Sequence, residues 1–574
     1  MRLGNSNLGR VILVLGLVAA GAYVVYKIIE RGGRLIVRSL TPDEMKDILI
    51  GKYKEFAGKY FSVLRWAKGV GSEEDEAVVK ELLTNYYYHK FIESTGDEAK
   101  AWEEARESAE EEMRSGDRMG VVEKVKDMIG YPPSLLFIGP PGVGKSETVR
   151  EVARILAEEF GLEFVDYRGI EDLRRIEADP TRYFVYVDLR LTSLEPADIT
   201  GIPRTLEGDI SEYLPFGWAK ALSLSPGILN LEELTNVDRP DLLSAAYQLV
   251  LDHRAGFLKF NPAVMVVALG NPSEWSAVAH ELPTPLLNRF EVFNVIAPTP
   301  DEWIRYMWRK YGKGWYWRIG DFLRVAPQNM LPSEEEARNV GLSPESQIPT
   351  PRSWTKLAVQ LFRDFEDKGE TPEDVVFYID KIMARIQGVG SCADVVAKVP
   401  GSKDYDSEAK RVCEEMRGTV GTAATERFVT VVGKVYRDPE EFMKSFDDFK
   451  KYWDELWDWV ESEAPNKSVA REIVCTVVPR NVSYWIEKRY RMGEKEGVGN
   501  KYVKENVDLI ARVVDEIAKK CGNAPAALAV GAICNRKDMG VKELLYERSE
   551  HVKKAVEEYI ERVIGRVRRK GASS

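Results

Sequence analysis

The sequence predicts an α/β fold in which a mostly parallel sheet is covered by helices on both faces. Five apolar runs have the length of buried strands, and they occupy residues 134–138, 183–189, 227–231, 264–269 and 292–297. Segments with helical periodicity separate these runs, and such alternation is typical of parallel sheets. A glycine-rich loop follows the first run directly and leads into a helix.

Helical patterns lie on both sides of this region. Residues 41–117 are helical, and they begin with Thr41 as N-cap, Pro42 at the first position and an acidic first turn. From about residue 366 the chain is again mostly helical, and large apolar residues recur at three- and four-residue steps between 442 and 460. We expect this stripe to be core, with a partner surface as the alternative.

Composition excludes some classes of protein. The 574 residues carry a net charge of -11, which argues against a dedicated nucleic-acid coat. Five cysteines without a CxxC pair, and four dispersed histidines, disfavour a zinc ribbon or a histidine-built metal centre. Glutamine is rare beside abundant Glu, Lys and Arg, which suits a hot environment in which intracellular disulfides occur; compositional drift is the alternative.

The N-terminus predicts a membrane anchor. Residues 11–26 carry no charge, and the apolar stretch to residue 29 spans about 28 Å at ~1.5 Å per residue, close to the thickness of a bilayer core. More basic residues follow the stretch than precede it, which places the bulk of the chain in the cytoplasm. A cleaved signal peptide and a core-buried helix are the alternatives.

The loop at 139–146 has the pattern GxxxxGK[ST] between a predicted strand and a predicted helix. In that context backbone N–H groups of the loop bind the phosphates of ATP, Lys145 reaches the β- and γ-phosphates, and the Ser146 hydroxyl ligates Mg²⁺. The predicted nucleotide-binding residues are Gly139, Pro140, Pro141, Gly142, Val143, Gly144, Lys145 and Ser146.

Two further strand ends carry polar residues. The run at 227–231 is followed by Glu232 and Glu233, and the run at 264–269 by Gly270 and Asn271. Ligands of parallel sheets bind at the carboxyl ends of the strands, so these side chains are expected to converge on the loop. The alternative for the two glutamates is a solvated helix start.

Six segments together resemble the MoxR-like AAA+ ATPases, within the helix-2-insert group of P-loop ATPases. They are GPPGVGKS (139–146), DLRLTSLEPADITGIP (188–203), GILNLEELTNVDRPDLLSAAYQLVLDHRAGFL (227–258), ALGNP (268–272), PLLNRF (285–290) and PTPRSW (349–354). The resemblance covers about residues 121–354, and a weaker one extends to GTVGTAATERF (418–428).

The resemblance implies roles for single residues. Glu232 matches the acid that helps to hold Mg²⁺, and Glu233 the acid that polarises the attacking water. Asn271 matches sensor 1, which hydrogen-bonds that water or the γ-phosphate. Arg289 resembles the arginine finger donated to a neighbouring subunit, and Arg352 resembles sensor 2. A surface salt bridge is the alternative for each arginine.

The chain also departs from the family pattern. The first acid is usually Asp, but here it is Glu232, which is one methylene longer and is expected to slow turnover. Asn230 places an amide in a strand expected to be apolar, and a buried amide needs partners. Residues 251–260 match an inserted hairpin that this group presents toward the pore of its ring.

We therefore predict five segments: a membrane anchor at 1–34, a helical region at 35–117, the αβα nucleotide-binding core at 118–299, a helical lid at 300–400 and a helical C-terminal region at 401–574. The resemblance implies a hexameric ring that couples ATP hydrolysis to remodelling or maturation of a protein client. The resemblance also makes a von Willebrand-type protein one candidate client, since such domains are common beside this family. It would have to be a separate chain, because no DxSxS metal-adhesion motif occurs here.

Two other functions remain open at this point. Helix-2-insert relatives include nucleic-acid motors, although the net charge of -11 disfavours that function here. A nucleotide-gated scaffold that binds ATP with little hydrolysis is the second alternative, and Glu232 and Asn230 motivate it.

Overall fold

The computed structural model describes residue 557, four two-residue strands near the N-terminus, and residues 39–554 except for 206–210, 274, 276–278, 281, 334–346, 404 and 537. The four strands are β1 (Val18–Ala19), β2 (Ala22–Tyr23), β3 (Glu30–Arg31) and β4 (Arg34–Leu35), which pair antiparallel as β1–β2 and β3–β4. The chain divides into two compact units, Met1–Pro298 and Thr299–Ser574.

The predicted anchor at residues 11–29 lies outside the described residues, apart from β1 and β2. No helix in the described part of the chain has both the length and the apolar character needed to cross a membrane.

The first unit is built on a seven-stranded parallel sheet in the order β5-β15-β6-β14-β11-β8-β7. Two short antiparallel hairpins, β9–β10 and β12–β13, lie outside this sheet. The strands are β5 (Ser39–Leu40), β6 (Leu135–Ile138), β7 (Glu163–Asp166), β8 (Tyr183–Arg190), β9 (Ile202–Thr205), β10 (Ser211–Leu214), β11 (Gly227–Glu232), β12 (Arg254–Ala255), β13 (Leu258–Lys259), β14 (Val264–Gly270) and β15 (Glu291–Val295).

All five predicted strands are confirmed, as β6, β8, β11, β14 and β15, with ends displaced by up to two residues. The sequence did not predict β5 and β7, which form the two edges of the sheet. β7 has an acidic residue at each end and only Val165 buried, so it lacks the apolar run of a central strand.

Helices cover the sheet of the first unit. They are α1 (Pro42–Ala67), α2 (Glu73–Thr95), α3 (Glu98–Ser115), α4 (Arg118–Val125), α5 (Lys145–Glu159), α6 (Ile170–Ala178), α7 (Pro196–Thr200), α8 (Gly217–Leu224), α9 (Pro240–Leu251) and α10 (Thr284–Leu287). The predicted cap of α1 is confirmed, because the Thr41 side chain and Glu44 form a capping box.

The helical N-terminal region is packed onto the core rather than separate from it. Phe61 of α1 stacks on Phe160 at the end of α5, with ring centroids 3.8 Å apart. The buried hydroxyl of Tyr53 donates to the carbonyl of Ala263, which directly precedes β14, at 2.7 Å. α1 therefore braces both the helix that follows the glycine-rich loop and the strand that precedes Asn271.

The second unit is helical, as the sequence predicts for its C-terminal part. Its helices are α11 (Pro300–Tyr311), α12 (Arg318–Val325), α13 (Pro351–Asp364), α14 (Pro372–Val389), α15 (Cys392–Ala397), α16 (Ser407–Val420), α17 (Thr422–Val435), α18 (Pro439–Phe442), α19 (Phe446–Ser462), α20 (Lys467–Lys495), α21 (Lys501–Lys504), α22 (Val507–Cys521), α23 (Asn523–Ala529), α24 (Gly531–Asn535) and α25 (Met539–Tyr546). The apolar stripe at 442–460 is core, since Phe449, Trp453 and Val460 are at most 1% exposed.

Two disulfides close loops within the second unit. Cys392 pairs with Cys413 across 21 residues, and Cys475 pairs with Cys521 across 46 residues. Cys534 is free and buried. Cross-links of this kind stabilise a fold mainly by restricting the unfolded chain, and the effect grows with loop length.

We predict that Cys521→Ser lowers the free energy of unfolding of the second unit by about 4 kcal/mol and that Cys413→Ser lowers it by about 3 kcal/mol. The first effect is larger because the loop closed by Cys475 and Cys521 is longer. Guanidinium chloride denaturation followed by far-UV circular dichroism measures both values. Cys534→Ser is the matched control. Dithiothreitol should remove the difference between Cys521→Ser and this control, and an unchanged difference would contradict the assignment of the pairs.

Candidate nucleotide site

The glycine-rich loop connects β6 to α5 at the carboxyl edge of the sheet. A Cβ on Gly139 would lie 2.2 Å from the carbonyl oxygen of Val295, so only glycine fits between the loop and β15. Gly144 has a φ of 109° and serves as the N-cap of α5 without a side-chain cap. A glycine loop that leads into a helix N-terminus in this way is the arrangement that binds phosphate in P-loop proteins.

The Lys145 ammonium is buried across this loop. It donates to the carbonyl oxygens of Gly139 at 2.6 Å and Pro140 at 2.9 Å, and to Oδ1 of Asn271 at 3.1 Å. A buried charge requires such partners, and here they join the loop to the end of β14. Ser146 follows in the first turn of α5 and is partly exposed.

The two acids at the end of β11 have different surroundings. Oε1 of Glu232 accepts a hydrogen bond of 2.8 Å from the Asn230 amide, and Oε2 makes no hydrogen bond to a described residue. Glu232 offers a carboxylate and Ser146 a hydroxyl, and both are hard oxygen ligands of the kind that Mg²⁺ prefers. These two residues therefore fit the magnesium ion that ATP carries.

Glu233 is held by Arg190, the last residue of β8, and by Thr192 just after it. Its backbone is left-handed, with a φ of 60°, which is uncommon for a residue with a side chain. Oε2 accepts a hydrogen bond of 2.9 Å from the Thr192 hydroxyl, and Oε1 lies 3.6 Å from Nε of Arg190. Because such backbone strain costs roughly 1–3 kcal/mol and clusters at functional sites, the conformation of Glu233 is a mark of the site.

Asn271 is fixed by Thr235. The backbone N–H of Asn271 donates to the Thr235 hydroxyl at 2.9 Å, and that hydroxyl donates to the Asn271 carbonyl at 2.9 Å. The Asn271 side chain is thereby held beside Lys145. The structure thus brings together the loop, Lys145 and Asn271 at one edge of the sheet, as the sequence predicts.

The two predicted arginines are placed differently. Arg289 follows α10, donates to the Pro285 carbonyl and lies over the ring of Tyr247 at 5.6 Å, so within the described residues its contacts lie away from the loop. Arg352 is exposed in the first turn of α13, which belongs to the second unit.

Sequence reasoning missed the residues that hold the predicted ones. Thr192 supports Glu233 and Thr235 supports Asn271, while Asp188 and Tyr186 of β8 join Asn230. The position of these residues at or just after strand ends could have marked them as part of the site. Their hydrogen-bond partners could not be predicted, because these depend on which strands are neighbours in the sheet.

Partial burial and the nearby charge of Glu232 raise the pKa of Asp188 above the usual range of an aspartate. Two carboxylates thus share one amide here, and the guanidinium of Arg150 lies 3.4 Å from Oδ2 of Asp188.

Comparison with known proteins gives partial likenesses, and no family model matches the chain. Over 183 residues the chain is 29% identical to the peroxisomal Lon protease homolog 2 of Kluyveromyces lactis, a match that covers 31% of the chain and 17% of that protein. Over 354 residues it is 24% identical to Lon protease 2 of Thermus thermophilus, covering 59% of the chain and 36% of that protein. The chain thus matches well under half the length of either relative.

These likenesses agree with the phosphate-loop motif at residues 139–146. Among solved structures, a RuvB mutant of Thermotoga maritima is 15% identical, with 55% of this chain and 86% of that chain covered at a TM-score of 0.20. NtrX of Brucella abortus in complex with ADP is also 15% identical, with 59% and 70% covered at a TM-score of 0.22. Superpositions this loose carry no information about single residues.

We predict that Thr235→Val lowers the rate of ATP turnover about tenfold, because two hydrogen bonds of ~0.5–1.5 kcal/mol each no longer hold Asn271. The affinity for ATP should change little, since the glycine-rich loop is intact. Steady-state phosphate release and titration with a fluorescent ATP analogue measure the two quantities. Thr95→Val in α2 is the matched control, and equal turnover of the two variants would contradict the role given to Thr235.

Proposed function

We propose that the chain is a MoxR-like AAA+ ATPase that forms a hexameric ring and couples ATP hydrolysis to remodelling or maturation of a protein client. The observation that carries the proposal is the meeting of the glycine-rich loop, Lys145 and Asn271 at the carboxyl ends of the strands, where Glu232 ends the neighbouring strand β11 and Glu233 follows it. Residues 11–29 would anchor the ring in the membrane, with the ATPase region in the cytoplasm.

The mechanism is in-line attack of water on the γ-phosphorus of ATP. Glu233 orients the water, and Asn271 hydrogen-bonds that water or the γ-phosphate. Lys145 exchanges its loop carbonyls for phosphate oxygens and neutralises the charge that develops on them. The magnesium ion that Ser146 and Glu232 would hold supplies further charge neutralisation at the phosphates.

Completion of the site by a neighbouring subunit is supported by Arg289. Its guanidinium lies over Tyr247 rather than at the loop of its own chain, as expected of a group offered to another copy. An arginine supplied in this way is worth ~10³–10⁵ in turnover in P-loop enzymes. Arg352 is assigned the role of sensor 2, through which motion of the lid would carry the nucleotide state to the hairpin at residues 251–260.

The client surface is supported by the two hairpins of the first unit. Phe257, in the turn between β12 and β13, is 81% exposed, and its ring centroid lies 6.1 Å from that of Tyr213 in β10. Leu214, which follows Tyr213 in the chain, and Leu251, at the end of α9, are also exposed. Exposed aromatic residues on neighbouring hairpins suit transient contact with an unfolded or extended protein segment.

A nucleotide-gated scaffold is the second candidate function. It is favoured by the engagement of both acids, because Asn230 binds Glu232 and Thr192 binds Glu233. In that case ATP would bind and change the conformation of the ring with little hydrolysis. No contact among the described residues favours the nucleic-acid motor over these two functions.

We predict that Glu233→Gln lowers ATP turnover by at least about 100-fold while ATP still binds, since loss of a general base typically costs ~10²–10⁴. Phosphate release and equilibrium dialysis with the full-length chain in detergent measure the two effects. Glu177→Gln on the exposed face of α6 is the matched control. Undiminished turnover in Glu233→Gln would contradict the mechanism, and negligible turnover in the unmodified chain would favour the scaffold.

We predict that Arg289→Ala and Lys145→Ala are each inactive but regain turnover when both chains are co-expressed and purified as mixed assemblies. In such an assembly a Lys145→Ala subunit still offers Arg289 to the intact loop of its neighbour. Differently tagged chains and tandem purification isolate the mixed assembly. If its activity does not exceed that of either variant alone, Arg289 does not act between subunits.

A further inference from the structure

A polar cluster lies within the sheet immediately before Glu232. Asn230 is completely buried and stands in register opposite Asp188 of the neighbouring strand β8. Because side chains two residues apart along a strand share a face, Asn230 and Glu232 lie on the same face of β11. An amide and a carboxylate from adjacent strands therefore meet just before the strand ends.

One amide nitrogen connects the members of this cluster. Nδ2 of Asn230 lies 2.8 Å from Oε1 of Glu232, 3.3 Å from Oδ1 of Asp188 and 3.2 Å from the hydroxyl of Tyr186. Ionised carboxylates only accept hydrogen bonds, so the NH₂ end of the amide must face the two acids. The Asn230 carbonyl oxygen is buried without a partner among the described residues, so the amide is oriented by the hydrogen bonds of its nitrogen.

Arg150 closes the cluster on the side of α5. Its guanidinium lies 3.4 Å from Oδ2 of Asp188 and over the ring of Tyr186 at 5.4 Å. Arg150 stands one helical turn after Ser146, so the same helix carries the metal-binding hydroxyl and the cation that compensates Asp188. The cluster thus links α5, β8 and β11 just before the site.

We infer that Asn230 and Asp188 position Glu232 for the metal ion, an inference that rests on the proposed function. Glu232 has one more rotatable bond than the aspartate usual at its position, and holding Oε1 leaves Oε2 as the oxygen available to a cation. Asp188 accepts the second hydrogen of the amide and so fixes the direction of the first. The amide of Asn230 therefore compensates for the greater length and flexibility of Glu232.

The test uses the full-length chain with Glu233→Gln as parent, so that nucleotide binding is measured without hydrolysis. A fluorescent ATP analogue is titrated at increasing Mg²⁺, and the Mg²⁺ concentration for half-maximal enhancement of binding is recorded. We predict that Asn230→Leu raises this concentration about tenfold or more, because loss of a partner behind a metal ligand typically costs ~10–100-fold in metal affinity. Asp188→Ala should shift it in the same direction.

Two further results separate a positioning role from a merely structural one, and the positioning role predicts both. Asn230→Leu should leave nucleotide binding without Mg²⁺ unchanged, and it should cause no further shift when Glu232→Gln is already present. Asn481→Leu, an equally buried amide of the second unit, is the matched control for general destabilisation. A shift below twofold in both Asn230→Leu and Asp188→Ala, or an equal shift in the Glu232→Gln background, overturns the inference.

The failure of the proposed function gives its own signature. If the parent binds no nucleotide, or binds it with no dependence on Mg²⁺, the ATPase mechanism is wrong and the positioning role falls with it. If the parent binds nucleotide in a Mg²⁺-dependent manner that Asn230→Leu and Asp188→Ala leave unchanged, only the positioning role is wrong.

Discussion

The buried ammonium of Lys145 is the interaction on which the rest of the site depends. It joins two loop carbonyls to the Asn271 side chain, and so it ties the loop after β6 to the end of β14. An unpaired ammonium in this position would cost several kcal/mol, so loop and strand end must stay together until phosphate oxygens replace those partners. The glycines of the loop make this approach sterically feasible, because a Cβ at Gly139 would collide with the backbone of β15.

Glu232 and Glu233 are adjacent in sequence but have different hydrogen-bond partners. Glu232 continues the strand and is oriented from within the sheet by Asn230, whereas Glu233 leaves the strand in a left-handed conformation and is held by Thr192. The first acid is thus suited to a fixed task such as holding a metal ion. The second has partners at the surface that can be exchanged for water, which suits a group that must act on a nucleophile.

Much of the sheet and of the nucleotide site could be predicted, because these parts depend on local sequence. A buried parallel strand needs a continuous apolar run, and a phosphate loop needs glycines and a lysine at fixed spacing, so β6, the loop and α5 follow directly. β7 escaped prediction because an edge strand can carry Glu163 and Asp166 at its ends. The partners of Asn230 could not be predicted, since they depend on the register between β11 and β8. Cysteine pairing depends in the same way on how helices pack.

The most direct test of the central claim is calorimetric titration of ATP into the full-length chain at saturating Mg²⁺. We predict one ATP bound per chain, with binding abolished by Lys145→Ala and retained by Lys220→Ala on the surface of α8. Absence of binding to the unmodified chain, or binding that Lys145→Ala leaves unchanged, would contradict the assignment of this sheet edge as the nucleotide site.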